Sequence, residues 1–251
     1  MLKGQFELYL PPGPGPHPLV CITPILGRLL FLNDLILERH FGRFFAKKGF
    51  ACAVIDRPIF EFNPSLGLEQ IQHYLDESVL RSKWALDELI QNKAIDPERV
   101  GTYGISFGAV VNSLWAAEDP RLKAHVFALP GGYLPEILVA SRDPLMKSYI
   151  KEISRAKSSP HHTATPEELK AEFQKVIRRD PLDAARKIPK EKVCLHLALF
   201  DCVIPFRYGL AFREAMGKPE TIFIPLGHYS ALLSIPFLKS SVVRFFRKKL
   251  G

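Results

Sequence analysis

The feature with the clearest chemical potential is a serine framed by small residues, Gly104-Ile105-Ser106-Phe107-Gly108. Val100 to Tyr103 is a short apolar run that predicts a buried strand, and a helix is expected to begin near Phe107. Gly-x-Ser-x-Gly between a strand and a helix suits a strained turn that pushes one hydroxyl out at the end of a sheet. Gly104, Gly108 and Ala109 would let the two backbones approach closely, where bulk would clash. The pentapeptide alone fits a glycine loop with a surface serine equally well; the flanking strand and helix favour a nucleophile. A serine hydroxyl is a weak nucleophile at neutral pH and needs a base within hydrogen-bonding reach. That base in turn needs an acid to hold its tautomer.

Eight histidines are available. His125 and His196 fall in apolar strand runs and read as core residues. His40 and His73 lie on or beside helical patterns, His17 in a proline-rich turn, and His161 and His162 in a polar loop. His228 alone follows the last strand, in Pro225-Leu226-Gly227-His228-Tyr229-Ser230, where a loop reaches the same sheet edge as Ser106. For the acid, Asp201 ends the run Leu197 to Phe200 and precedes Cys202-Val203-Ile204-Pro205. Its bland reading is a turn or helix-capping aspartate. Asp143, Asp180 and Asp183 compete with it, but they sit in a segment without strands.

These residues need a frame whose strand ends converge. Strands are expected at Gln5–Leu10, Leu19–Thr23, Phe50–Ile55, Val100–Tyr103, Ala124–Leu129, Val193–Phe200 and Thr221–Ile224. Helices are expected at Asp34–Lys48 (capped by Asn33 or Asp34), Asp76–Gln91, after Ser106, and at about Ile204–Met216 and Ala231–Lys249. The alternation implies a mostly parallel sheet covered on both faces. Pro11 to Pro18 is read as a turn joining two antiparallel strands in a hairpin. Residues 1–132 and 191–251 form the expected core. Residues 133–190 exceed what one crossover needs and read as a helical insertion, with Glu167–Arg179 its clearest helix, forming a lid.

With 251 residues, 47% of them hydrophobic and 24% charged, the chain has an ordinary globular composition. No apolar run approaches the roughly 18 residues of a membrane span, and the first residues lack the apolar core of a secretory signal. None of the four cysteines, Cys21, Cys52, Cys194 and Cys202, has Cys-x-x-Cys spacing. A reduced, cytoplasmic protein follows as the simplest expectation. The net charge of +8 is spread along the chain, densest at Arg244, Arg247, Lys248 and Lys249. A solvated helix end explains that cluster better than a nucleic-acid site.

The order Ser106, Asp201, His228 is the serine, acid, histidine order of α/β-hydrolases, and nearly the whole chain resembles that superfamily. Asp96-Pro97-Glu98-Arg99-Val100-Gly101 before the serine motif is similar to the dienelactone hydrolase and prolyl oligopeptidase-type branch. So are the loops at Asp201 and at Gly227-His228. The resemblance implies an α/β-hydrolase fold and acyl transfer on a small-molecule ester or thioester, with neither metal nor organic cofactor. It also implies an oxyanion hole built from backbone N–H groups. Phe107 would supply one. The other would come from the loop after Thr23, where the branch usually carries His-Gly and this chain has Pro24-Ile25-Leu26. Proline has no N–H, so Ile25 is the first choice and Leu26 the next. The expected function is a serine carboxylic-ester hydrolase or thioesterase. An acyltransferase, or a catalytically silent ligand-binding protein on the same fold, is the alternative. Ile25, Leu26, Phe60, Phe62, Phe107 and Phe206 suggest an apolar substrate.

Overall fold

Strands buried on both faces form the middle of the molecule, as expected for apolar runs without polar alternation. In the computed structural model, which describes residues 6–26, 35–58, 68–158 and 163–251, seven strands form one sheet. They are β1 (Phe6–Tyr9), β2 (His17–Thr23), β3 (Ala51–Ile55), β4 (Ile95–Ile105), β5 (Leu122–Ala128), β6 (Val193–Ala198) and β7 (Glu220–Ile224). Their spatial order is β1-β3-β2-β4-β5-β6-β7. All neighbours pair in parallel except β1 with β3. The expected hairpin between the first two strands is therefore corrected: β3 lies between them. Ala51–Ile55 is buried at every position and needs a neighbour on each side, whereas the half-buried β1 suits an edge.

Successive residues of β2 and β3 serve opposite layers. Leu19, Cys21, Ala51, Ala53 and Ile55 pack in the layer with α2 (Glu69–Leu89) and α3 (Phe107–Ala116). Val20, Ile22, Cys52 and Val54 pack with Phe41 and Phe45 of α1 (Ile36–Ala46). Phe245 and Phe246 of α9 (Ile235–Leu250) complete that second layer. The expected caps Asn33 and Asp34, the apolar Phe60 and Phe62, and the loop histidines His161 and His162 lie outside the described residues. Before its central run, β4 already pairs at Ile95 and Asp96, then skips to Val100. The sequence Asp96-Pro97-Glu98-Arg99 is thus a bulge within the strand, closed by the Glu98 N–H donating to Asp96 Oδ1 at 2.9 Å.

Between β5 and β6 the chain forms α4 (Leu134–Ala140), α5 (Pro144–Lys157), α6 (Pro166–Val176) and α7 (Pro181–Ala185). Thr165 and Glu168 close a capping box on α6. Asp180 accepts the N–H groups of Tyr133, Leu134 and Leu182 at 2.9, 2.6 and 2.8 Å, so it ties the start of α4 to the start of α7. The remaining helix, α8 (Phe206–Ala215), lies between β6 and β7.

The turn from β4 into α3 is the tightest point of the fold. Ser106 has φ 55° and ψ −120°, a region that costs a side-chain-bearing residue of order 1–3 kcal/mol. A Cβ on Gly104 would stand 2.4 Å from the Gly108 carbonyl oxygen, and one on Gly108 would stand 2.1 Å from that of Thr23. Strand, elbow and the end of β2 thus meet backbone to backbone. Gly108→Ala should lower stability by about 1–3 kcal/mol or more, read from its urea midpoint; an unchanged midpoint would contradict this packing.

Two imidazoles are sealed in the sheet. His125 contacts Thr102 Oγ1 through Nδ1 at 3.0 Å, and His196 Nδ1 has no hydrogen-bond partner among the described residues. Burial holds His125 down to about 3 and His196 to about 4. The unfolded chain protonates them near pH 6.5, so stability is full above that pH and falls as pH drops toward the folded values. Each costs about 2 kcal/mol by pH 5. His196→Leu should therefore show a smaller fall in Tm between pH 7.5 and pH 5 than the parent; an equal fall would contradict the neutral, buried imidazole.

Candidate active site

Every parallel strand ends at the same sheet edge, which collects the loops after β2, β4, β5, β6 and β7. Ser106 is held there through its backbone. Its N–H donates to the Ala128 carbonyl at 2.8 Å, and its own carbonyl accepts from Ala109 and Val110 at 2.9 and 3.1 Å. The side chain is left to point away from the sheet. His228 arrives from the loop after β7, with its Nε2 3.0 Å from Ser106 Oγ. Its Nδ1 stands 2.7 Å from Asp201 Oδ2. A carboxylate accepts only, so Nδ1 carries the proton and Nε2 is left to accept from the serine hydroxyl.

The Asp201 side chain is 4% exposed, and its second oxygen accepts the N–H groups of Val203 and Ile204 at 2.9 and 2.8 Å. The turn role and the partnership with histidine are thus two halves of one carboxylate. Of its three rivals, Asp180 is the cap described above, and Asp183 pairs with Arg186. Asp143 caps α5 through the Met146 N–H at 2.9 Å and accepts the Tyr229 hydroxyl. Among the other described histidines, His73 pairs with Glu77 and His40 contacts Lys239. His125 and His196 are buried in the sheet.

The segment joining α4 to α5 is stitched to the loops that carry Asp201 and His228. The Arg142 N–H donates to the Cys202 carbonyl at 2.9 Å, next to Asp201. Asp143 holds Tyr229, next to His228. Burial and the carboxylate raise the pKa of the Tyr229 phenol, so it stays protonated and donating.

Ser106 and His228 open into a cavity of about 380 Å³. Leu26, Phe107, Ile137, Met146 and Ile204 are among its predominantly apolar walls, and Ile25 also lines it. Phe206, counted from sequence among the apolar residues near the site, is not among the described lining; it packs against Phe223. The Phe107 N–H belongs to the first turn of α3, where backbone donors have no acceptor within the helix. Ile25 requires a correction. Its N–H donates to Glu38 Oε1 at 3.1 Å, so it is committed away from the cavity, and Leu26 is the remaining sequence candidate. Glu38, together with Arg57, whose Nη1 donates to the Ile25 carbonyl at 2.7 Å, was not anticipated. The signal was present: Glu38 falls in register with Phe41, Gly42 and Phe45 on the buried stripe of α1.

Among the described residues, no group of three or more His, Cys, Asp or Glu side chains could hold a metal ion. No described helix is long and apolar enough to cross a membrane.

No family model matches the sequence. Over 181 residues the chain is 29% identical to "Esterase FrsA" of Enterobacter sp. (strain 638), which covers 67% of this chain and 38% of that protein. The chain therefore spans well under half the length of this curated relative. Among solved structures, an acetyl xylan esterase from Paenibacillus sp. R4 superposes with a TM-score of 0.71 at 20% identity, covering 98% of this chain and 79% of that one. The alpha/beta hydrolase GrgF from Penicillium sp. sh18 gives 0.69 at 16% identity, covering 98% and 94%. Sheet order, elbow and solved structures agree: the chain has the α/β-hydrolase fold.

Proposed function

We propose that the chain is a serine carboxylic-ester hydrolase working through an acyl-enzyme. The observation that carries this reading is the relay Ser106 Oγ to His228 Nε2 at 3.0 Å and His228 Nδ1 to Asp201 Oδ2 at 2.7 Å, opening onto an apolar cavity. Ser106 Oγ attacks the ester carbonyl as its proton passes to His228 Nε2. Asp201 stays ionised and stabilises the imidazolium. The tetrahedral oxygen is held by the N–H groups of Phe107 and Leu26. His228 then returns the proton to the leaving alkoxide, the carbon–oxygen bond breaks, and Ser106 is left acylated. Water, deprotonated by the same imidazole, attacks the acyl carbon; the acid departs and Ser106 regains its proton. A thioester follows the same course with a thiol leaving. No step calls for a metal or organic cofactor.

Residues 133–190 act in this reading as a cap that supplies much of the acyl wall, since Ile137 and Met146 come from it. We also propose a reduced, cytoplasmic placement, which the free thiols support: three of the four cysteines are buried and Cys202 is exposed.

Two measurements test it. Ser106→Ala should reduce hydrolysis of a p-nitrophenyl ester to the background rate while leaving the folded spectrum intact; unchanged hydrolysis would refute the assignment. Each buried methylene contributes about 0.8 kcal/mol, so kcat/KM should rise by up to roughly fourfold per methylene from acetate toward hexanoate before levelling. A maximum at acetate would contradict an apolar acyl site.

A further inference from the structure

Glu38 is a carboxylate on an apolar stripe. It shares the inward face of α1 with Phe41, Gly42 and Phe45 and is 4% exposed. A carboxylate is buried at this cost only where it is hydrogen-bonded or paired. The first turn of α1 favours an anion through its free N–H groups. One contact of this carboxylate is the Ile25 N–H at 3.1 Å, in the loop facing Ser106. Glu38 is not among the described residues lining the cavity; with Thr23, Phe41 and Tyr103 it surrounds a small void behind that loop.

The next peptide group is held independently. Arg57, just after β3, donates from Nη1 to the Ile25 carbonyl at 2.7 Å. That carbonyl shares a rigid plane with the Leu26 N–H, and in a trans peptide the two point in opposite directions. Fixing the carbonyl therefore fixes the direction of the Leu26 donor. The loop's foot is anchored too: Thr23, 4% exposed, donates its hydroxyl to Asn112 Oδ1 of α3, itself fully buried. The serine's own helix and the loop opposite it are thus joined at one point.

Resting on the ester-hydrolase reading above, we infer that Glu38 and Arg57 are positioning residues for the oxyanion loop. Glu38 withdraws the Ile25 N–H from the site, and Arg57 aims the Leu26 N–H at the oxygen that becomes negative in the transition state. The pair does for Pro24-Ile25-Leu26 what the loop lacks by itself: it sets both peptide planes where one residue is a proline that donates nothing. Neither side chain touches substrate. Both act through the loop, so they govern the charge-stabilising step and leave ground-state binding by the apolar cavity nearly untouched.

The test uses p-nitrophenyl butyrate and a fluorophosphonate probe, whose adduct on Ser106 places an oxygen in the same hole. Wild type, Glu38→Gln, Glu38→Ala and Arg57→Met are compared well below each variant's Tm. Glu38→Ala and Arg57→Met should lose about tenfold or more in kcat, with KM within about threefold, and labelling should slow in parallel. Glu38→Gln keeps an oxygen that accepts the Ile25 N–H and should retain most of the rate. A merely structural role would lower Tm in Glu38→Ala without this split and without rescue by Gln. The inference is overturned if folded Glu38→Ala keeps kcat within twofold, or if Glu38→Gln is as impaired as Glu38→Ala. Should Glu38→Ala not fold, Arg57→Met decides, and kcat within twofold of wild type overturns the inference. An active wild type with unaltered variants defeats this inference alone. A wild type that neither hydrolyses nor labels defeats the ester-hydrolase reading and this inference with it.

Discussion

The architecture turns on one close approach, that of Gly108 to the Thr23 carbonyl beside a serine held at positive φ. Three backbones converge there: the end of β2, the end of β4 and the start of α3. Bulk at Gly108 would push the loop after β2 away from the serine. Bulk at Gly104 would open the elbow itself. The strain stored at Ser106 is sustained because the surrounding sheet over-determines it, with the Ser106 N–H bound to β5 and its carbonyl to the first turn of α3. That constraint gives Ser106 a defined position, and without it the 3.0 Å contact to His228 would have no fixed partner.

The remaining parts of the site are arranged so that each residue is held by something else. Asp201 spends one oxygen on its own turn and the other on His228. The loops carrying Asp201 and His228 are both attached to the short segment between α4 and α5. The helical insertion therefore does more than add wall to the cavity: it braces the Asp201 and His228 loops from the outside. On the opposite side, the loop after β2 carries Pro24-Ile25-Leu26 and is set by side chains from α1 and from the residues just after β3.

Much of this was legible from residue types and order. The alternation of apolar strands and amphipathic helices carries the sheet, because burial on both faces leaves a continuous apolar run and helical faces leave a 3.6-residue period. The Gly-x-Ser-x-Gly motif carries its own geometry, since only glycine tolerates the contacts at positions 104 and 108. Asp201 and His228 stand out by following strands. What was not legible depends on pairing between distant segments. Nothing local in Phe6–Tyr9 says that it pairs with β3 and not with β2, because four half-buried residues fit either edge. Nor does Ile25 reveal that its N–H is taken by a carboxylate 13 residues later. The acidic residue on the apolar stripe of α1 was the one local trace of that contact, and by spacing alone it could be read as a helix-start charge.

The central claim is that Ser106 becomes covalently acylated. Rapid acid quenching of the protein during turnover of p-nitrophenyl butyrate, followed by peptide mapping by mass spectrometry, tests it most directly. The account predicts one butyryl group on the peptide carrying Ser106, absent from Ser106→Ala. Turnover with an unmodified Ser106 peptide, or with the acyl group on another residue, would contradict it.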